Sequence, residues 1–339
     1  MGRRTVVLLT VLAAAVLPAA AQAATGFGAD GLVVGGAVAT APSEQLAATG
    51  ARWLRIDVHW SAIAPQRPAR PRRQYDPAYQ WGALDRQVRA LRRLATGPGG
   101  TQARLLLAVG DAPAWAASPG ASVQPAAFGA FMTALARRYR QRVDAYEIWP
   151  EPNTAVALAP QRAAGRLVAP AVFAALVRTA AREIAKVSAA PVVAGGLART
   201  GAAADTPPGA FLRALGRVGL PQRVALGLRL APGGAEAPAA DADDLSLAEL
   251  DHTLAAVDAA FPRRARRVWV TGYAVPSSAG DGAQADGVRT LLAAAALPRI
   301  RVAIWERLVD GTDSSTGLLL PPAFGYAAKP AAAAWAPPG

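Results

Sequence analysis

The chain contains no cysteine and, among 339 residues, only two histidines and two lysines. Without cysteine there are no disulfides, no thiolate metal sites and no cysteine nucleophile. His59 and His252 are too few nitrogen ligands for a hydrolytic zinc centre, so no metal is expected. No glycine-rich phosphate loop follows the first apolar run, which counts against a nucleotide-binding sheet; no other cofactor is implied. Beyond the N-terminal stretch no uninterrupted apolar run is long enough to span a bilayer.

Apolar residues make up 53% of the chain, ample for a core. The N-terminus reads as a leader: Arg3 and Arg4, an apolar stretch over residues 5–16, then the small-x-small site Ala21-Gln22-Ala23. Cleavage after Ala23 would remove 1–23 as a signal peptide, leave 24–339 as one domain, and place the product outside the cell. The net charge is +13, and with lysine confined to Lys186 and Lys329 it is carried almost wholly by arginine. Arginines cluster over residues 67–73, 137–142 and 263–267. Such a surface favours anionic partners, acidic glycans among them; it reads equally as the mark of a biased coding composition. Nucleic acid is not implied, since no binding motif accompanies the arginines.

Strand-like and helix-like stretches alternate along the chain, the pattern of an α/β fold with a parallel sheet. The strand-like runs are Gly31-Leu32-Val33-Val34-Gly35-Gly36 and seven more over residues 53–60, 104–110, 144–149, 191–196, 223–230, 267–271 and 300–305. Helices are predicted between them, one capped by Ser43 and stopped at Gly50, another capped by Ser246 and carrying His252 on its surface, and a final one opened by Lys329-Pro330. Eight strand-helix pairs fit a single closed (β/α)8 TIM barrel better than an open doubly wound sheet.

The run Asp144-Ala145-Tyr146-Glu147-Ile148-Trp149-Pro150-Glu151-Pro152-Asn153 ends an apolar strand in a carboxylate, the place where barrel enzymes keep their chemistry. It resembles the Tyr-Glu-Ile-Trp-Asn-Glu-Pro-Asn signature of the retaining (β/α)8 glycoside hydrolases, the clan of cellulases and β-xylosidases. The resemblance implies that Glu151 is the general acid/base and that the ligand or substrate is a carbohydrate. Retaining hydrolysis needs a second carboxylate about 5 Å away as nucleophile. The clan supplies it at the end of strand seven, in a Trp-Val-Thr-Glu-Tyr/Phe-Gly run. Here that run is Trp269-Val270-Thr271-Gly272-Tyr273-Ala274, so the nucleophile position is a vacant Gly272. Two further departures surround the same centre: Pro150 replaces the Asn before the acid/base, and strand six ends in Leu228-Arg229-Leu230-Ala231-Pro232 without the clan's His or Tyr.

Other positions match. Arg55 corresponds to the strand-two Arg that binds the nucleophile; lacking it, Arg55 could turn to Asp57 or Glu151. His59, Trp60, Trp115, Asn153 and Trp305 correspond to substrate-binding positions, with the tryptophans suited to the apolar faces of sugar rings. Each has a plainer reading. Glu151 could be an exposed loop acid, Arg55 an interior partner of Asp57, and the tryptophans core residues. Asp57, Asp111, Glu306 and Asp310 also fall near strand ends, and one could serve as base in an inverting reaction. The expectation is thus a secreted hydrolase with an altered mechanism, or a catalytically inactive barrel that still binds a glycan, with a scaffold for anionic polymers as the third reading.

Overall fold

Eight short segments pair edge to edge in parallel until the last meets the first. In the computed structural model, which describes residues 24–94, 101–117, 123–200, 202–230, 243–263, 265–312 and 314–335, these are β1 (Ala24–Gly28), β2 (Trp53–His59), β3 (Arg104–Gly110), β4 (Ala145–Ile148), β5 (Val192–Ala198), β6 (Ala225–Arg229), β7 (Val268–Tyr273) and β8 (Ile300–Trp305). The barrel closes in sequence order, β8 pairing with β1 and β1 with β2. The expected leader over residues 1–23 lies outside the described residues, as do Ala231 and Pro232.

An outer layer covers the strands: α1 (Thr40–Thr49), α2 (Gly82–Leu91), α3 (Pro125–Tyr139), α4 (Ala169–Ala185), α5 (Pro208–Val218), α6 (Leu250–Ala260), α7 (Asp281–Ala295) and a closing 3-10 turn (Pro330–Trp335). Prolines sit in the first turn of α3, α4 and α5, where the missing N–H is not needed. Gly50, at φ 65°, stops α1 in the left-handed conformation and donates its N–H to the Ala47 carbonyl.

Alternation along each strand sorts side chains between two cores. Trp53, Leu106, Val193, Trp269 and Val302 face the lumen, where the Trp53 and Trp269 rings meet edge to face at 5.1 Å. Leu54, Ile56, Val58 and Trp60 belong instead to the larger cluster packed under the helices. At the upper end of β7 the register with β8 shifts between Val270 and Tyr273. A bulge of this kind turns neighbouring residues out of strict alternation, and Thr271 and Gly272 both meet lumenal side chains.

Three sequence expectations are corrected. The first barrel strand is Ala24–Gly28, not 31–36; Val33–Val34 and Ala37–Val38 form a small antiparallel hairpin outside the barrel. Gly35 and Gly36 both take positive φ there, so the glycines that bracket the apolar run mark a turn. Ser43 lies inside α1, its hydroxyl donating to the Ala39 carbonyl four residues back, and the helix starts at Thr40. Ser246 does accept the Glu249 N–H as a cap would, but regular helix begins at Leu250.

The tight strand packing makes a direct test. A Cβ at Gly227 in β6 would stand 2.3 Å from the Gly195 carbonyl oxygen, which is backbone and cannot yield, whereas a Cβ at Gly282 in α7 would meet nothing. Urea titration is expected to show Gly227→Ala losing about 1–3 kcal/mol and Gly282→Ala unchanged or gaining up to about 1 kcal/mol.

Candidate active site

Glu147 is the one fully buried carboxylate of the strands, and it organises the upper lumen. It sits in β4, inward like Ala145 two residues before it. Arg55 Nε of β2 donates to its Oε2 at 2.8 Å, and the Thr271 hydroxyl of β7 donates to Oε1 at 2.8 Å. Arg55 also reaches Asp57 through Nη1 at 2.8 Å. Burial works against the guanidinium's charge, but Glu147 and Asp57 outweigh it and hold its pKa above the ordinary arginine value. Arg55 Nη2 is buried without a partner. Arg55 thus turns to Asp57, as one expectation had it, and to Glu147; Glu151 is engaged elsewhere.

Glu151 lies just past β4, with φ 56°; Trp149 before it and Asp111 just past β3 both have φ 59°. Non-glycine residues in this region cost on the order of 1–3 kcal/mol each and persist where their surroundings dictate them. Here the Glu151 N–H donates to the Gly196 carbonyl at 2.9 Å, which ties the turn to β5. Its carboxylate points over the lumen and meets Arg229 Nε of β6 at 2.9 Å. Arg229 Nη2 binds Glu306, the residue after β8. One guanidinium therefore joins the ends of β4, β6 and β8.

Gly272 is not vacant space. A Cβ built there would stand 2.8 Å from Arg229 Cγ and 3.3 Å from its Nε. The stem of Arg229 fills the volume that a side chain at 272 would use, and it brings a positive charge there. This corrects the expectation of an empty position at 272.

The tryptophans are also placed differently than expected. Trp60 and Trp305 follow the outward parity of their strands and are fully buried. Trp60 stacks on Phe131 at 5.3 Å, and Trp305 donates Nε1–H to the Thr316 carbonyl at 2.8 Å. Neither offers a face to a sugar. Asn153 is buried as well, its amide satisfied by the Ala198 N–H and by the Ala198 and Thr206 carbonyls, so it braces the loop and does not reach a ligand. Trp115 is half-buried, its Nε1–H on the Ala64 carbonyl at 2.7 Å. His59 is exposed at the rim, with Nδ1 3.4 Å from Asp111, which also takes the Ser61 hydroxyl. Of the remaining acids, Asp310 is held by Lys329 at 2.7 Å away from the lumen, and His252 is exposed on α6.

Sequence reasoning missed Asp30, Glu147 and Arg229. Asp30 follows β1, which the misplaced first strand concealed. Its carboxyl is pushed above its ordinary value of 3.8, first by burial and then by Asp57, against the pull of Arg307, Arg55 and Arg229. Arg307 is its ion-pair partner at 3.6 Å. The signal for Glu147 was present: a charged residue at inward parity in an apolar strand, with Arg55 similarly placed in β2. Among the described residues no group of three or more His, Asp and Glu is arranged to hold a metal ion.

No protein-family model matches the chain, and no curated protein matches it. Solved structures do. A family 39 glycoside hydrolase from Bacteroides cellulosilyticus is 16% identical with a TM-score of 0.62 over 93% of this chain; the chain spans only 64% of that structure's length. A broad-specificity endoglucanase from Clostridium acetobutylicum is 16% identical with a TM-score of 0.63, covering 93% of this chain and 96% of its own. An endoglucanase from Thermotoga maritima, solved in complex with mannotriose, is 13% identical with a TM-score of 0.58, over 92% and 97%. At these identities the likeness establishes the (β/α)8 barrel fold.

Two outcomes test the lumenal network. Glu147→Gln leaves Arg55 underpaired in the interior and is expected to cost about 3–5 kcal/mol in chemical denaturation, whereas the double replacement Glu147→Leu with Arg55→Met should cost less than the single change. Asp30 holds its proton in the folded chain at pH values where the unfolded chain has released it, so its contribution lowers stability as pH rises above 3.8. Asp30→Asn should therefore raise the melting temperature at pH 7, and the gain should shrink as the pH approaches 4.

Proposed function

We propose that the chain is an exported carbohydrate-binding protein on a glycoside-hydrolase-like barrel, with no double-displacement chemistry. The observation that carries this reading is Arg229, whose stem lies on Gly272 and whose guanidinium holds Glu151 and Glu306. A protonated guanidinium cannot attack an anomeric carbon. Glycoside cleavage passes through an oxocarbenium-like, electron-poor centre, and a fixed cation beside it raises the barrier. An acid/base residue must exchange a proton with the glycosidic oxygen, yet the Glu151 carboxylate is occupied by Arg229.

The same groups suit recognition. Glu151, Glu306, Asp57 and Arg229 are each partly exposed at the mouth, and together they present alternating acceptors and donors to vicinal sugar hydroxyls. That solved relatives of this fold include an endoglucanase complexed with mannotriose supports a saccharide as the ligand. The expected N-terminal leader supports export.

A rival reading has one specific point in its favour. Glu151 and Glu306 converge on a single guanidinium, so a shift of Arg229 would leave two carboxylates facing one cavity, as single-displacement hydrolysis requires. One assay separates the readings. On a panel of aryl β-glycosides the wild-type chain is expected to show no turnover. The single change G272E should also fail, because its Cβ meets Arg229 Cγ, while the double variant G272E/R229A should gain hydrolysis. Calorimetry with β-linked trisaccharides should detect binding by the wild type. Wild-type turnover that disappears in both Glu151→Gln and Glu306→Gln would establish the rival. Absence of binding together with an inactive double variant would end the glycan reading.

A further inference from the structure

Two of the three arginine clusters of the sequence, some sixty-five residues apart, meet on one face of the folded chain. The long connection from β2 to α2 leaves the mouth and runs down the outer layer, where the Arg137 guanidinium donates to the Arg72 carbonyl at 2.9 Å. Two adjoining clefts open there, of about 720 Å³ and 320 Å³, and both are lined by Gln74, Arg137 and Arg140. One continues to Lys186 past the end of α4, the other to Arg89 and Arg142. These residues precede β4 and β5, so the groove lies toward the end of the barrel opposite Glu151.

The acids of this face are already spent. Asp85 is taken by Arg138 and by the Tyr139 hydroxyl at 2.8 Å. Glu183, buried between α3 and α4, is taken by Arg72 at 3.1 Å and Lys186 at 2.8 Å. Arg137, Arg140 and Arg142 are exposed and have no carboxylate partner among the described residues. Beside them Tyr75 lines the smaller cleft and is 82% exposed, an aromatic ring presented to solvent at a positively charged floor. In the third cluster Arg266 is spent on the Leu220, Pro221 and Val224 carbonyls, and among the described residues no comparable exposed ring stands beside Arg263 and Arg267. What sets this groove apart is that three such arginines line adjoining clefts together with an exposed aromatic ring.

We infer that this groove binds a linear anionic polysaccharide, its carboxylate or sulfate groups on Arg137, Arg140 and Arg142 and a sugar face on Tyr75. The guanidinium fork matches such oxyanions in a bidentate manner. Choosing a polysaccharide over other polyanions rests on the glycan reading of the barrel; the cationic groove itself does not. Single-stranded nucleic acid is disfavoured because it is held by several aromatic platforms in series, and this groove carries one.

The test titrates polygalacturonate and heparin, which separate carboxylate from sulfate, with dextran and duplex DNA as comparators. Wild type is expected to bind one or both anionic polysaccharides, more weakly as salt is added, and to ignore dextran. R140A/R142A should weaken that binding roughly 3- to 30-fold, given the usual strength of exposed ion pairs. R162A/R166A removes the same charge from the exposed hairpin after β4 and should change it by less than about two-fold. Equal losses in the two double variants would reduce the effect to net charge and overturn the proposal. So would binding of neither polysaccharide, or duplex DNA held at least as tightly. Because the R229A change at the mouth should leave this affinity intact, failure here and failure of the barrel reading are told apart.

Discussion

A carboxylate with no access to water must be matched by charge and hydrogen bonds, and in this barrel that demand is met at Glu147. Its oxygens are satisfied from β2 by Arg55 and from β7 by Thr271. The three strands are not neighbours in the barrel, so the pairing braces the lumen across its width. Below it the lumen is apolar, closed by Trp53 and Trp269; above it Arg229 joins Glu151 and Glu306. The level of Glu147 is therefore where packing ends and chemistry starts. Removing one member strands the others in a medium that penalises lone charges, which is why the group behaves as a unit.

Immediately above, Arg229 changes what the mouth can do. A glycine at the end of β7 leaves room that a long side chain from β6 occupies, and its charge is opposite to that of a nucleophilic carboxylate. In physical terms a side chain at 272 and the present course of Arg229 exclude each other. Glu151 remains in place, held by a left-handed turn and by the Gly196 carbonyl, but its partner is a cation that binds it without reacting.

The molecule is electrically two-ended. At the mouth Asp30, Asp57, Glu147, Glu151 and Glu306 are interleaved with Arg55, Arg229 and Arg307. Toward the other end unpaired arginines line an open groove. The overall charge of +13 thus conceals a surplus of carboxylates at the mouth and a run of arginines without carboxylate partners in the groove, and the latter draws polyanions from a distance.

The fold was legible because repeated local patterns sum: β3 and β8 fell where their apolar runs ended, and seven of the eight strands overlapped their expected positions. The first was missed because Ala24–Gly28 is short and glycine-rich, while the glycine-bracketed run after it had the better strand composition and the worse geometry. The placement of Glu151 past β4 and the glycine at 272 were likewise readable from short-range motif and composition. Which way a side chain faces at a strand end was not, since one residue of register sends Trp60 and Trp305 under the helices and Glu306 into the mouth. Nor was the identity of the group lying on Gly272, because Arg229 is forty-three residues away and reaches it only when β6 and β7 lie side by side. Periodicity along the chain decided that this protein is a barrel; contacts between strands decided that its acid faces a guanidinium, because long-range ion pairing depends on where chains meet and not on what precedes or follows each residue.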